Sequence, residues 1–205
     1  MNYSFLLRKV GVVVVLINSL AFDFKSFSGK PDLANPIAFN SNYYWKGIPI
    51  GIITGLKSTI GPEIKGRPIF TIKPDGTATI VPTEQRVYKA LLEAQAGPWV
   101  LRAGELVAIK DQSYSSDSLR NAPRVVLGTR PDGKTVVYFT DSVVLKKVGQ
   151  IMRDFGCQDA MALDGGSSSA LWVGPEFWGR RHSAIPAGVY LSPKRLLVKA
   201  RMGPP

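Results

Sequence analysis

The chain has 205 residues, and 26 Lys and Arg against 15 Asp and Glu give it a formal net charge of +11. Hydrophobic residues make up 45%, which is enough for a packed core and excludes an intrinsically disordered or collagen-like chain. The length favours a single domain. The basic residues are dispersed, so they predict attraction to anions in general. No zinc-finger spacing, RNP-like aromatic motif or basic helix occurs in the sequence, and we therefore expect no nucleic-acid partner.

The first 21 residues allow two interpretations. A basic pair, Arg8-Lys9, precedes an apolar run at residues 10–17, and Ser19 and Ala21 are spaced like a small-residue cleavage site. This pattern predicts a signal peptide over residues 1–21, a domain at residues 22–205, and a secreted or periplasmic protein. The alternative is a buried strand in a cytoplasmic protein, because consecutive valines favour extended backbone. The run is too short for a stable membrane span.

The first half of the chain predicts mainly strands. Four short apolar or β-branched runs indicate strands at residues 37–40, 49–54, 68–73 and 77–81. The last two flank Pro74-Asp75-Gly76, which predicts a hairpin turn. A helix is expected at residues 83–96, because its apolar residues fall at helical spacing and Gly97-Pro98 follows.

The second half of the chain repeats this order of predicted strand, turn, strand and helix. Strands are expected at residues 124–129, 135–140, 160–163, 169–173 and 188–191. Pro131-Asp132-Gly133 predicts a turn between the first two. A helix is expected at residues 144–155, with one apolar face and Gly156 as its cap. The sequence therefore predicts an α+β protein, with a mixed β-sheet and a few helices packed on it in one domain.

The chain has one cysteine, Cys157, and one histidine, His182. These counts exclude an internal disulfide and a His-rich metal cage. We expect Cys157 to be a small buried residue. His182 follows Arg180 and Arg181, and it is interpreted either as a phosphate contact or as part of a solvated loop.

A glycine-serine segment with many polar groups lies between two predicted strands. Its sequence is Asp164-Gly165-Gly166-Ser167-Ser168-Ser169. Two glycines allow a sharp turn, their N–H groups can line an anion-binding concavity, and the hydroxyls add donors and acceptors. The segment is not a P-loop, since no Gly-Lys-Ser/Thr follows. It is a degenerate nucleophile elbow, which keeps open a serine hydrolase with Ser168 as nucleophile and His182 as base.

Four stretches in order resemble the phosphodiester glycosidase family. The most specific is residues 161–171, with the sequence MALDGGSSSAL. The other three are supportive in combination: AFNSNYY at residues 38–44, APRVVLG at residues 122–128 and VYFTD at residues 137–141. Ser41-Asn42 stand where the family has two glycines, so the loop after Asn40 is expected to differ in shape.

The resemblance implies a hydrolase that cleaves the C1–O bond of a sugar-1-phosphodiester or related glycoside. Asp164 is then the carboxylate that faces the sugar, with Asp141 as the second catalytic candidate. Arg124 is expected to hold the phosphate, although it could equally form a structural ion pair. The remaining substrate-binding candidates would contact phosphate oxygens or sugar hydroxyls, and they are Asn40, Gly165, Gly166, Ser167 and Ser168.

The partner implied is an anionic sugar or polysaccharide. No cofactor is required by these residues, and a calcium or magnesium ion held by Asp141 and Asp164 is possible in chemical terms. Beside the serine hydrolase, a second alternative stays open: a basic domain that binds acidic exopolysaccharide without cleaving it.

Overall fold

The computed structural model describes residues 3–9, 11–18, 21–29, 37–41, 43–45, 48–55, 58–86, 89–109, 112, 120–179 and 185–193. Strands dominate this part of the chain. They are β1 (Tyr3–Lys9), β2 (Val12–Ile17), β3 (Phe22–Gly29), β4 (Ile37–Asn40), β5 (Tyr43–Trp45), β6 (Ile48–Ile50), β7 (Ile53–Gly55), β8 (Ser58–Ile60), β9 (Pro68–Ile72), β10 (Ala78–Pro82), β11 (Leu92–Gln95), β12 (Trp99–Arg102), β13 (Glu105–Leu106), β14 (Ala122–Thr129), β15 (Thr135–Val143), β16 (Asp159–Ala162), β17 (Ala170–Val173), β18 (Glu176–Gly179) and β19 (Ile185–Pro193).

A single α-helix, α1 (Leu145–Asp154), occurs among the described residues. It lies one residue inside each end of the helix predicted at residues 144–155. Gly156 follows it with a φ of 79°, the left-handed conformation that ends helices, as predicted. No helix in the described ranges is long and apolar enough to cross a membrane.

The strands form three larger sheets and one small hairpin. Their orders are β1-β2-β15-β14-β16-β12-β13, β10-β9-β11-β7-β8, β18-β17-β4-β19-β3, and β5-β6. Every pairing that the structure describes is antiparallel. The prediction of a mixed sheet was therefore wrong. The predicted α+β class is broadly consistent with the structure, but strands dominate it, and one α-helix occurs in the described part of the chain. Hairpins connect some neighbours, such as β9–β10 and β14–β15, and a hairpin makes an antiparallel pair. Other neighbours, such as β2 and β15, are far apart in the sequence.

Two apolar clusters lie on opposite faces of the sheet that contains β14. Val125 and Leu127 point into the larger cluster, which all three sheets share, while Val126 points into a smaller one covered by α1. This alternation is the period of a strand buried on both faces. Gly128 leaves room for the side chain of Cys157 in the smaller cluster. Burial raises the pKa of this thiol to about 12, as expected for a packing residue.

Residues 12–17 of the N-terminal apolar run form β2, which lies between the edge strand β1 and β15. Val13, Val14, Val15 and Ile17 have no exposed surface. This is the buried strand of the alternative interpretation. Cleavage as a signal peptide, and secretion with it, stay predictions.

The helix predicted at residues 83–96 is not present in the described part of that segment. A short 3₁₀ turn covers Thr83–Gln85, and the strand β11 covers Leu92–Gln95. All four residues of β11 are buried between β9 and β7. The prediction was wrong because it was based on helical spacing of apolar residues, and that spacing did not indicate a short strand whose residues are all buried.

Both polar residues of β11 have buried partners instead. Arg86 donates to the carboxylate of Glu93 from Nε and Nη2, at 2.8 and 2.7 Å. The carboxamide of Gln95 bonds to both the N–H and the C=O of Ile64. These hydrogen bonds offset the free-energy cost of burying the side chains of Glu93 and Gln95, a burial that the sequence pattern did not predict.

Candidate active site

Strand register brings Arg124 and Asp164 next to each other. Arg124 in β14 pairs with Thr140 in β15, and Val126 pairs with Ala162 in β16. β14 and β16 are antiparallel, so two residues before Val126 and two residues after Ala162 the chain positions 124 and 164 lie opposite each other. The N–H of Leu163 donates to the carbonyl of Val125 at 2.9 Å, which extends the pairing to the site. The two predicted charged residues therefore share one end of the sheet.

Asp164 is 9% exposed, and this burial raises the pKa of its carboxyl to about 6. Three neighbours oppose the shift: a hydrogen bond from the Ser168 hydroxyl, one from the N–H of Gly165, and the charge of Arg124. Desolvation dominates because a buried carboxylate loses more hydration than these partners replace. A carboxyl that titrates near neutrality can take up or release a proton in a reaction.

Arg124 packs against the turn that follows Asp164. It is 4% exposed, and its Nη2 donates to the carbonyl of Arg120 at 3.0 Å. A Cβ built on Gly165 would lie 2.5 Å from Nη1 of Arg124. Glycine is thus required at position 165 for the guanidinium to occupy this space. The guanidinium is held beside the Asp164 carboxyl with its fork of donors near the turn.

Asn40 fastens both ends of the loop between β16 and β17. Its Nδ2 donates to the carbonyl of Asp164 at 2.7 Å, and its Oδ1 accepts from the N–H of Ala170 at 3.0 Å. The next residue contributes as well, since the carbonyl of Ser41 accepts from the N–H of Asp164 at 2.9 Å. Asn40 is 1% exposed. Its side chain therefore contacts main chain at the site, and substrate contact by Asn40 stays a prediction.

The glycine-serine segment forms a tight turn above Arg124. Gly166–Ser168 form one 3₁₀ turn, with Gly166 at a φ of 66°. Ser168 is half-buried and bonds to Asp164, whereas Ser167 is exposed. The turn leads into the strand β17 and not into a helix, which a nucleophile elbow requires. His182, the proposed base of a serine hydrolase, lies outside the described residues, as do Arg180 and Arg181.

Asp141 occupies a different environment from Asp164. It lies at a bulge near the end of β15, directly after Thr140, and its side chain is exposed. Its N–H donates to the carbonyl of Gly11 at 2.8 Å, and its carboxylate lies beside Gly11 in the β1–β2 turn. The groups that shift the pKa of Asp164 do not include it. Its catalytic role stays a prediction.

No group of three His, Cys, Asp or Glu side chains that could hold a metal ion occurs in the described ranges. The divalent cation of the sequence analysis stays a prediction.

Three contributors to the site were not predicted from the sequence. The carbonyls of Ser41 and Arg120 and the N–H of Ala170 are main-chain groups. Any residue type carries such groups, so no sequence signal could have identified them.

The comparisons with known proteins agree with this arrangement. The family model for phosphodiester glycosidases matches residues 34–191. Among solved structures, the catalytic domain of zebrafish N-acetylglucosamine-1-phosphodiester alpha-N-acetylglucosaminidase, auto-inhibited by its pro-peptide, superposes with a TM-score of 0.72 at 14% identity. That match covers 94% of this chain and 82% of that one.

A hypothetical protein from Synechocystis superposes with a TM-score of 0.64 at 12% identity, over 94% of this chain. The chain spans 61% of the length of that protein. At these identities the likeness shows the fold alone. None of the curated proteins compared matches the chain in sequence. Because the family model matches residues 34–191, which is more than half of the chain and includes the whole Asp164 loop, the chain belongs to the phosphodiester glycosidase family.

Proposed function

We propose that the protein is a hydrolase that cleaves the C1–O bond of a sugar-1-phosphodiester. The observation that carries this proposal is the convergence of the Asp164 carboxyl, the Arg124 guanidinium and the Ser168 hydroxyl on one turn. Membership of the family supports an enzyme of the glycosidase class. The sugar, the aglycone, the stereochemical course and the residue roles belong to the proposal.

The residues fit the demands of this reaction. The alkyl phosphate that leaves is a good leaving group, so the enzyme needs to hold its negative charge more than to protonate it. Arg124 and the main-chain N–H groups of the glycine-serine turn would bind the phosphate oxygens. As the C1–O bond breaks, its electron pair stays on the phosphate oxygen. Water adds its oxygen to C1, and the ionised Asp164 accepts the proton that water loses. In the alternative route Asp164 attacks C1 first, water then displaces it from C1, the electron pair of the C1–Asp164 bond returns to the carboxylate, and the proton that water loses passes to solvent.

Hydrolysis in ¹⁸O-labelled water tests which bond breaks. The full chain is incubated with alkyl phosphodiesters of glucose-1-phosphate, mannose-1-phosphate and N-acetylglucosamine-1-phosphate. We expect free sugar that carries the label at C1 and an unlabelled alkyl phosphate. Label in the phosphate would mean cleavage of the P–O bond and would contradict the proposal.

Asp164→Asn tests the carboxylate, because asparagine keeps the size and removes the charge. We expect kcat to fall by roughly 10³-fold, the range of a missing acid–base group, while the protein stays folded. The matched control is Asp132→Asn, an exposed carboxylate in the β14–β15 turn that bonds to Lys134. Similar kcat values for the two variants would remove Asp164 from the mechanism. Asp141→Asn, measured in parallel, decides the role of the second candidate.

Arg124→Lys tests the phosphate contact, since lysine keeps the charge and loses the planar fork. We expect kcat/KM to fall much more for a sugar-1-phosphodiester than for an aryl glycoside of the same sugar. Equal losses on both substrates would indicate that Arg124 only supports the turn.

A further inference from the structure

A cationic groove lies away from the Asp164 site. It consists of a cavity of about 690 Å³ and a neighbouring cavity of about 420 Å³. Both are lined by Pro82, Gln85, Trp99 and Arg102, so the two spaces adjoin. The described residues that line them do not include Asp164, Arg124 or the glycine-serine turn. Each volume falls within the ~300–1,000 Å³ of pockets that hold small ligands.

The lining of this groove is predominantly positive. Among the described residues that line it, the cationic side chains are Lys65, Arg67, Arg102 and Arg130, and the acidic ones are Glu84 and Asp159. Asp159 is already engaged, because its Oδ1 accepts from the N–H of Ala103 at 2.9 Å. Lys65 and Arg102 are exposed. Glu84 is exposed as well. The described lining therefore presents two accessible cations against one accessible carboxylate, in a concavity that strengthens their field.

One wall of the groove is held rigidly from behind. Gln95 and Thr83 are buried and bond to the main chain of the segment that carries Lys65 and Arg67. Gln95 Oε1 lies 2.9 Å from the N–H nitrogen of Ile64, and Thr83 Oγ1 donates to the carbonyl of Arg67 at 2.6 Å. A wall fixed in this way loses little conformational entropy when a ligand binds.

The floor of the groove is equally fixed. The carboxamide of Gln112 bonds to the N–H and the C=O of Trp99, each at 2.8 Å. The guanidinium of Arg102 lies over the indole of Trp99, 5.4 Å from the ring centroid. Trp99 is 5% exposed, so its indole face is not open for the stacking of a nucleic-acid base.

We infer that this groove is a second binding site, and that its ligand is an anionic oligosaccharide chain. The charge selects an anion, the two adjoining cavities fit a chain longer than one sugar, and the covered indole disfavours nucleic acid. The site does not depend on the proposed hydrolysis. It would hold an acidic polymer at a distance from Asp164.

Binding of a polygalacturonate hexasaccharide to the full chain tests the inference by titration calorimetry. The test variant is Lys65→Glu with Arg102→Glu, and the control is Lys146→Glu with Lys147→Glu on the exposed face of α1, which changes the net charge equally. We expect Kd to rise at least about tenfold in the first variant and to stay within about threefold in the second. Lys65→Gln with Arg102→Gln, which only neutralises the charges, should give an intermediate rise.

Three results would overturn the inference. Equal losses in the two charge-reversal variants would indicate general attraction to a basic surface. Uncharged maltohexaose binding as tightly as polygalacturonate would exclude an anion site. A single-stranded oligothymidylate that binds more tightly than the saccharide, and loses affinity in the same variant, would assign the groove to nucleic acid.

Discussion

At the residue scale, Gly165 is important because it has no side chain, and this leaves the space that the Arg124 guanidinium occupies. Its φ of −107° suits any residue, so the backbone does not require glycine there. Gly165→Ala should displace the guanidinium, and we expect kcat/KM on a phosphodiester to fall by on the order of 100-fold, as for other small misplacements. Steady-state kinetics with the substrate identified in the panel measures this.

Gly133→Ala is the matched control for that substitution. Gly133 has a φ of 75°, and a Cβ there would meet nothing within 4 Å. Alanine should therefore cost about 1 kcal/mol of stability through backbone strain and leave the kinetics unchanged. If Gly165→Ala also changed only stability, Arg124 would not need its present position.

The pKa of Asp164 makes a prediction about stability. The folded chain keeps this proton up to about pH 6, whereas an unfolded chain releases it near pH 3.8. The free energy of unfolding should therefore fall, for this group, as the pH rises between those values, and the loss persists above them. Asp164→Asn removes the titration, so its stability relative to wild type should increase by up to about 3 kcal/mol from pH 3.5 to 7.5. Urea unfolding at both pH values measures the difference, and a constant difference would contradict it.

The same pKa sets the expected pH dependence of the reaction. If the ionised carboxylate attacks C1 or accepts the proton from water, kcat/KM should rise to a plateau with a midpoint near pH 6. Arg124 lowers this pKa, so Arg124→Lys, which moves the charge, should move the midpoint upward. A pH–rate profile of each protein tests both statements. A falling limb near pH 6 would instead assign Asp164 as a general acid.

At the scale of elements, the hairpins were predictable and β11 was not. The β9–β10 and β14–β15 hairpins follow local turn chemistry, Pro-Asp-Gly between β-rich runs, and the structure confirms both. In β11, by contrast, the spacing of apolar residues fits a helix. The guanidinium of Arg86 pairs with the buried carboxylate of Glu93, and the hydroxyl of Thr54, 39 residues away in the sequence, accepts from the N–H of Glu93. A local sequence pattern therefore predicts hairpins between neighbouring strands, but it does not predict a strand such as β11, whose partners come from elsewhere in the fold.

The residues of the candidate site also fall into two groups: those that the sequence indicates and those whose contacts depend on the fold. The sequence identified the Asp164 loop because its polar residues are consecutive, and the resemblance added Arg124 and Asn40. The function of Asn40 as a fastening was not predictable, since its partners lie 124 and 130 residues away. Such long-range pairs depend on how β4 packs beside β17.

Asn40 holds the loop that carries Asp164, and its removal should be costly. Asn40→Ala leaves a buried carbonyl and a buried N–H without their partner, which should lower the free energy of unfolding by about 2–4 kcal/mol. Ser167→Ala, an exposed change in the same loop, should stay within about 0.5 kcal/mol. Urea unfolding of the two variants makes the comparison. Equal stabilities would mean that the loop keeps its shape without the Asn40 bonds.

At the scale of the whole molecule, one apolar core joins segments from both ends of the chain. The larger cluster contains Val13 from β2, Phe70 from β9 and Leu171 from β17. The turn of the candidate site follows β16, which belongs to the same sheet as β2. We therefore expect the stability of this turn to depend on the N-terminal hairpin.

A chain that begins at residue 22 tests this dependence. It lacks Val13, Val15 and Ile17, each fully buried, and each such side chain contributes about 1.5–3 kcal/mol. Their sum is comparable to the ~5–15 kcal/mol of a typical domain, so we expect the shortened chain to lose its cooperative unfolding transition. Near-ultraviolet circular dichroism and urea titration measure this.

Two point variants test whether the packing of buried side chains in the N-terminal hairpin, and not only the length of the chain, stabilises the protein. Val15→Ser places a hydroxyl in the core and should lower the free energy of unfolding by about 2–4 kcal/mol. Leu6→Ser, in β1 at 38% exposure, should cost no more than about 0.5–1 kcal/mol. A shortened chain with the unfolding midpoint of the full chain would show that the hairpin is dispensable, and it would favour the signal-peptide interpretation of residues 1–21. The opposite result would mean that the folded protein retains both strands wherever it resides, because β15 has no other described partner on that side.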